Sequence, residues 1–309
     1  MHRGWRLPLF LFVILPILAC SRAWAAPDPA GLELASVNAA VAYVDGGEPI
    51  FSKHPDRSVP IASVTKLMTA VVVMDAGQPM DQWLEVYKRH RPAPNNAYSR
   101  IRIGSTLKRG DMLRIALMSS ENLAAYTLAR HYPGGFDAFV RAMNEKAAEL
   151  GMSHSHFVEP TGLSPENHAS AGDLVKLVRA AFAHPELRRY TTTGYFTAHF
   201  RQPRYDLRFG NTNPLVHRQS WDVELSKTGY LSEAGRCLIM VTRIDGREVV
   251  AVLLDSFGTR TPLGDAGRVR RWLTSGQGGS IAKAARAYEN RRNAEYASRQ
   301  TAKAETATP

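Results

Sequence analysis

The stretch Pro60-Ile61-Ala62-Ser63-Val64-Thr65-Lys66-Leu67-Met68-Thr69-Ala70-Val71-Val72-Val73-Met74 reads as one helix, with a proline at its start and Gly77 shortly past its end. Ile61, Val64, Leu67, Met68 and Val71 to Met74 leave almost no polar face, so the helix belongs inside a core. Ser63 and Lys66 interrupt it in the first turn. Three positions apart on a helix, their side chains share a face and can touch. A lysine there must be paired or lose its charge, because an unpaired ammonium is costly to bury. A serine beside a lysine able to take its proton is one way to build an activated nucleophile. The plainer reading is a serine near the helix N-cap and a lysine that reaches back to water. Spacing alone does not decide between them, since Ser105 and Lys108 share it in a glycine-flanked basic segment.

Working outward, Ala39 to Asp45 and Pro49 to His54 flank Gly46-Gly47-Glu48 and are expected as a β-hairpin feeding the helix. Pro79, Pro92, Pro94, Asn95 and Asn96 mark loops in the mixed segment that follows. Helical patterns cover Asp111 to Leu117, about Leu123 to His131, Phe136 to Leu150, and Leu174 to Phe182, the last opened by a Ser170–Asp173 capping box. The pattern then switches to strands at Tyr195 to Phe200, Val223 to Lys227, Arg236 to Ile244 and Arg247 to Leu254. Asp245-Gly246 joins the last two as a hairpin, and Thr261 to Leu273 closes with a helix. Runs of one element type and then the other predict an α+β fold, an antiparallel sheet with a helical block, rather than alternating βαβ units.

At 309 residues, 44% of them hydrophobic, the chain can bury one large core or two modest ones. Its two ends read differently from that core. Residues 1–26 have the layout of a secretory signal peptide: arginines at positions 3 and 6, an apolar run from Leu7 to Ala19, and Ala23-Trp24-Ala25 as a cleavage site. The run is short for a membrane span. Ile17-Leu18-Ala19-Cys20 weakly resembles a lipoprotein processing site, with leucine before the alanine a poor fit; by either route the chain is exported, to the periplasm. The two cysteines do not form an internal pair once the signal is removed. Cys237, in an apolar run, reads as a small buried hydrophobe. The net charge is +11, of which Arg3, Arg6 and Arg22 lie in the signal. A basic exported chain suits an anionic cell-wall polymer or a peripheral place at a membrane surface, while no nucleic-acid motif is present. Beyond Ser275, Gly-Gln-Gly-Gly-Ser reads as a linker, and the basic tail after it as a flexible segment or a solvated helix over 281–300 without a core of its own. The domain proper is therefore expected over 27–275, with 276–309 as linker and tail.

Two further motifs give the Ser63–Lys66 pair its setting. Ser120-Glu121-Asn122 matches S-x-N, as does Ser36-Val37-Asn38, while Lys227-Thr228-Gly229 occurs once, at the end of a strand. The ordered set Ser63–Lys66, Ser120–Asn122, Lys227–Gly229 resembles the penicillin-recognising serine peptidases, the superfamily of active-site-serine penicillin-binding proteins and β-lactamases. More narrowly, Arg57 to Lys66, Met118 to Ala125, Glu159-Pro-Thr-Gly-Leu-Ser-Pro-Glu-Asn167 and Ser226 to Gly229 resemble the low-molecular-weight D-alanyl-D-alanine peptidases, and within them the endopeptidase (penicillin-binding protein 7-like) type. The similarity runs over about residues 35–274.

That resemblance implies a β-lactamase/transpeptidase-like fold and a set of roles. Ser63 is the expected nucleophile, at a helix N-terminus that favours developing negative charge, and Lys66 its general base. Ser120 relays a proton and Asn122 hydrogen-bonds the substrate amide. Lys227 supplies positive charge on the opposite wall, Thr228 takes the substrate's carboxylate, Gly229 lets the substrate lie along the strand, and the backbone N–H groups of Ser63 and Tyr230 form the oxyanion hole. The implied substrate is peptidoglycan peptide, with β-lactams as covalent inhibitors and no cofactor. Cleavage of D-alanyl-diaminopimelate cross-links is expected over carboxypeptidase action. The chain has no room for the extra C-terminal β domain of the common carboxypeptidases, and Asp265-Ala-Gly-Arg-Val-Arg-Arg-Trp272 resembles the endopeptidase branch. A β-lactamase would need a deacylating base, and Glu166 sits in the peptidase-like segment as a structural or cleft-edge residue. A non-catalytic penicillin-binding sensor would be expected to carry a second apolar span, which the sequence does not show, and a wall-binding scaffold would leave Ser63→Ala without effect. His154 and His156 lack a third metal ligand at a recognisable spacing, and H-E-x-x-H is absent, so no metal is expected.

Overall fold

The computed structural model describes residues 27–90 and 98–307. The expected signal peptide with Cys20, and the loop markers Pro92, Pro94, Asn95 and Asn96, lie outside them. The chain opens with strands β1 (Ser36–Tyr43) and β2 (Gly46–Lys53), a two-residue strand β3 (Val59–Pro60), and a 3-10 turn at Ala62–Thr65 that runs into α1 (Lys66–Asp75). Two short strands, β4 (Trp83–Glu85) and β5 (Thr106–Lys108), precede the helices α2 (Arg109–Met118), α3 (Asn122–Arg130) and α4 (Gly135–Glu149). Then come β6 (His168–Ala169), α5 (Ala171–Phe182), α6 (Pro185–Thr191) and a hairpin of β7 (Tyr195–Phe200) and β8 (Tyr205–Gly210). Strands β9 (Val223–Leu231), β10 (Gly235–Ile244) and β11 (Arg247–Ser256) lead to α7 (Thr261–Ser275) and α8 (Lys283–Ala307).

The main sheet has five antiparallel strands in the order β2-β1-β11-β10-β9. Side chains alternate across it with period two. Val37, Ile239, Val250 and Val252 face the helical block, whereas Leu238, Met240, Ala251 and Leu253 face α7 and its buried Trp272. Because both faces are covered, the central strands read as nearly continuous apolar runs. The α+β class and the antiparallel sheet agree with the sequence. So does the β10–β11 turn, where Asp245 and Gly246 both take positive φ, 48° and 80°, as a two-residue hairpin of this hand requires. The first hairpin turns two residues earlier than the glycines suggested, with Tyr43 paired to Gly46.

Two expectations need correction. Residues 60–74 are not one helix. Pro60 pairs as a strand with His168, Ala62 is left-handed at φ 49°, and the α-helix begins only at Lys66. The left-handed residue and 3-10 turn place Ser63 at the helix mouth. The core assignment stands, with eight of the ten residues of α1 buried. The tail is a helix, but not a solvated one all round. Ile281 and Ala285 pack on Ala35, and Arg292 and Tyr296 are buried. Its inner stripe is polar and aromatic rather than aliphatic, so hydropathy does not mark it as a core face.

Candidate active site

Ser63 lies in the 3-10 turn, on the edge strand β9's side of the helical block. Gly229 makes that approach close: a Cβ there would stand 3.0 Å from the Ile61 carbonyl oxygen and 3.1 Å from the Ser63 nitrogen. Gly162 seals the other side with φ 78°, and a Cβ on it would sit 1.9 Å from the Ala62 carbonyl oxygen. Only glycine fits at either position without moving the nucleophile's backbone.

The Lys66 Nζ reaches three oxygens: Ser63 Oγ at 3.0 Å, Asn122 Oδ1 at 2.7 Å and the Thr161 carbonyl at 2.5 Å. Two of these are carbonyl oxygens and can only accept. A neutral amine in this position spends both N–H bonds on Asn122 and Thr161 and turns its lone pair to the Ser63 hydroxyl. Burial pushes the Lys66 ammonium down from its ordinary value to about 7; Glu159 and then Glu121 oppose that shift, and Arg89 adds to it.

Across the cleft, Lys227 of β9 donates to Ser120 Oγ at 3.0 Å and to the Thr228 carbonyl at 2.7 Å. It is buried, and that burial, with the nearby Lys66 charge, holds its pKa well below the ordinary lysine value. Ser120 occupies the α2–α3 corner at φ 61°, a left-handed conformation unfavourable for serine. Glu121 caps α3 by accepting from the Leu123 N–H at 3.0 Å, which fixes Asn122 at the first helical position. The Thr228 hydroxyl lies 2.6 Å from that of Thr212. Tyr230 is exposed, with the Arg236 guanidinium 3.9 Å from its ring centroid.

All eight residues singled out from sequence converge on one cleft of about 930 Å³, lined by Ser63, Ser120, Asn122, Thr228, Gly229 and Tyr230 with the two lysines beneath. The look-alike motifs go elsewhere. The Ser105 hydroxyl bonds the Arg102 carbonyl and Tyr205 while Lys108 lies over Trp83, and Ser36 bonds Asp265. Glu166 is exposed and is not among Lys66's oxygen partners. Cys237 is buried, its thiol pushed up to about 12 by burial. Among the described residues no group of three or more His, Cys, Asp or Glu is placed to hold a metal, and no helix is long and apolar enough to cross a membrane.

Several residues of the site have no motif to announce them. The carboxylate of Glu159 accepts from the N–H groups of Thr161, Gly162 and Leu163 at 2.7, 2.6 and 2.9 Å, and from Asn167 Nδ2 at 2.8 Å. It shapes the loop that presents the Thr161 carbonyl to Lys66. Thr212, beside Thr228, and Arg218, Arg236 and Arg260 also line the cleft.

A serine held against a buried amine, beneath a cleft closed by a second lysine on an edge strand, defines a serine hydrolase of the penicillin-recognising class. Residues 24–258 match the D-alanyl-D-alanine carboxypeptidase family, and the chain belongs to it. It is 46% identical over 295 residues to a D-alanyl-D-alanine endopeptidase of Pseudomonas aeruginosa, covering 94% of this chain and 95% of that one. Among solved structures, the fold matches a Streptomyces DD-transpeptidase with a TM-score of 0.72 at 24% identity, over 79% of this chain and 98% of that one. It also matches an ampicillin-bound penicillin-binding protein D2 of Listeria monocytogenes, with a TM-score of 0.65 at 28% identity, over 76% and 95% of the two chains.

Proposed function

We propose that this chain is a serine D,D-peptidase of peptidoglycan that cleaves D-alanyl-diaminopimelate cross-links through an acyl-enzyme on Ser63. The observation that carries the reading is the three-oxygen seat of Lys66, which leaves the neutral amine one direction in which to accept a proton, toward Ser63. In the reaction Ser63 Oγ attacks the D-alanyl carbonyl carbon and its proton passes to Lys66 Nζ. The oxyanion meets the backbone N–H groups of Ser63 and Tyr230. Collapse breaks the amide bond, the leaving amine takes a proton relayed by Ser120, and water then hydrolyses the ester. Lys227 keeps the Ser120 hydroxyl oriented, Asn122 and Gly229 guide the substrate backbone, and Thr228 with Thr212 receives the carboxylate beside the scissile bond.

Endopeptidase action is favoured over carboxypeptidase action by the near full-length similarity to the Pseudomonas aeruginosa endopeptidase. β-Lactams would trap the same serine, a reading the ampicillin-bound relative supports. The chain works in the periplasm after loss of residues 1–26, with 27–275 as the peptidase unit and 276–309 as a bracing tail.

The test is mass analysis of isolated sacculi digested by wild type and by Ser63→Ala, with fluorescent penicillin as a label. Wild type should release monomers from cross-linked muropeptides and take the label; Ser63→Ala should do neither. Efficient removal of terminal D-alanine without monomer release would replace this reading with a carboxypeptidase.

A further inference from the structure

The cleft carries cations that the chemistry at Ser63 does not use. Arg218 and Arg260 are exposed at its rim, and Arg236 is half-buried with its guanidinium over Tyr230. None of the described residues lining the cleft is acidic. None of these three arginines makes an ion pair or a side-chain hydrogen bond with the described residues. Arg188 and Arg243, by contrast, share the carboxylate of Glu224. Three uncompensated guanidiniums facing one cavity raise the local concentration of anions there, and each presents a flat fork that fits a carboxylate.

The cleft's volume, about 930 Å³, lies near the top of the range that holds a drug-sized ligand, so a single leaving alanine would fill a small part of it. The arginines line the same cleft as Thr228, the position assigned to the carboxylate beside the scissile bond. A leaving D-alanine brings only that one carboxylate. The leaving half of a cross-link brings it on a diaminopimelate and continues into a peptide stem with further free carboxylates.

From this we infer that Arg218, Arg236 and Arg260 form a subsite for the additional carboxylates of the leaving stem, so that the cleft selects cross-linked peptide over a single terminal residue. The inference rests on the D,D-peptidase reading above, because it takes the Thr228 side of the cleft as the leaving side. Tyr230 and Leu263 add apolar surface to the same lining.

Binding is measured with Ser63→Ala protein, which holds substrate without turnover. One probe is a D-alanyl-diaminopimelate dimer. The other is the same dimer with every leaving-stem carboxylate amidated except the one beside the scissile bond. The unmodified dimer should bind roughly tenfold more tightly, as two part-exposed ion pairs would give, and the ratio should shrink with added salt. Adding Arg218→Gln and Arg260→Gln should bring the ratio to about one, and Arg218→Lys with Arg260→Lys should keep part of it. Equal affinities in Ser63→Ala, or an undiminished ratio after the glutamine substitutions, overturn the subsite; thermal melting of each variant verifies folding. Cleavage is scored separately. A wild-type enzyme that takes penicillin but releases no monomer from the unmodified dimer sinks the endopeptidase reading, while the affinity ratio still decides whether the arginines bind the stem carboxylates.

Discussion

At neutral pH the Lys66 amine is divided between its charged and neutral forms, since burial brings its pKa to about 7. Only the neutral form has the lone pair that its seat turns toward Ser63. Acylation by penicillin should therefore rise with pH, level off above about 7, and fall roughly tenfold for each pH unit below that. Labelling rates from pH 5 to 9 measure this, and a flat profile would remove Lys66 from the role of base. The same shift has a sign for stability. The folded pKa lies below the unfolded one, so the unfolded chain binds more protons between about pH 7 and the ordinary lysine range. Stability from this group is lost as pH falls toward 7 and gained as pH rises above it. Lys66 thus weakens the fold at neutral pH in exchange for a base that works there.

At the scale of elements, the turn bearing Ser63, the α2–α3 corner and β9 hold their groups by backbone, and the loop at 159–167 holds the Thr161 carbonyl against Lys66. Both Glu159 oxygens accept N–H bonds, so Glu159→Gln, though of the same size, removes the charge and turns an amide NH2 toward N–H groups that need an acceptor. Acylation should fall on the order of tenfold to a hundredfold, the size of a lost hydrogen bond to a charged group. The pH inflection should also move down, because the Glu159 carboxylate opposes the lowering of the Lys66 pKa. Stopped-flow labelling across pH reads both effects, and a slower rate with an unmoved inflection would reduce Glu159 to a purely structural part. This loop marks the limit of what the sequence makes legible. Ser63, Lys66, Ser120, Asn122 and Lys227 to Tyr230 could be found because their side chains fall in ordered motifs and the apolar runs around them have clear periods. Thr161 acts through its backbone carbonyl, which leaves no trace in residue type. Helix α6, Pro185–Thr191, is too short and polar to show a period, whereas β8, Tyr205–Gly210, alternates apolar Tyr205, Leu207 and Phe209 with polar residues, a legible strand signal that went unread. The arginine rim collects residues from beyond β8, from β10 and from the approach to α7, and only the folded chain brings them together.

For the molecule as a whole, α8 is tied to the sheet through one buried carboxylate. Asp255, at the end of β11 with φ 55°, accepts from Tyr288 Oη at 2.6 Å, Arg292 Nε at 2.7 Å and Tyr296 Oη at 2.8 Å. Arg292 also donates to the Glu233 carbonyl at 2.8 Å, in the turn between β9 and β10. The Arg57 guanidinium, six residues before Ser63, bonds Asn293 at 2.6 Å and lies over the Tyr296 ring. The helix therefore braces both the segment that leads to the nucleophile and the hairpin that carries Lys227. Asp255→Asn tests this brace without adding backbone strain, since asparagine tolerates the left-handed conformation. It removes the buried one of Arg292's two carboxylate partners and leaves only the part-exposed Glu295, at a cost of about 3 kcal/mol. For a chain of this size the melting temperature should drop by about 10 °C. Hydrogen exchange should quicken first at 231–235 and along α8, before the central strands β1 and β11 are affected. Loss of protection spread evenly over the sheet would mean that α8 stabilises the fold as a whole; loss confined to the β9–β10 turn would mark it as the support of the cleft's strand wall.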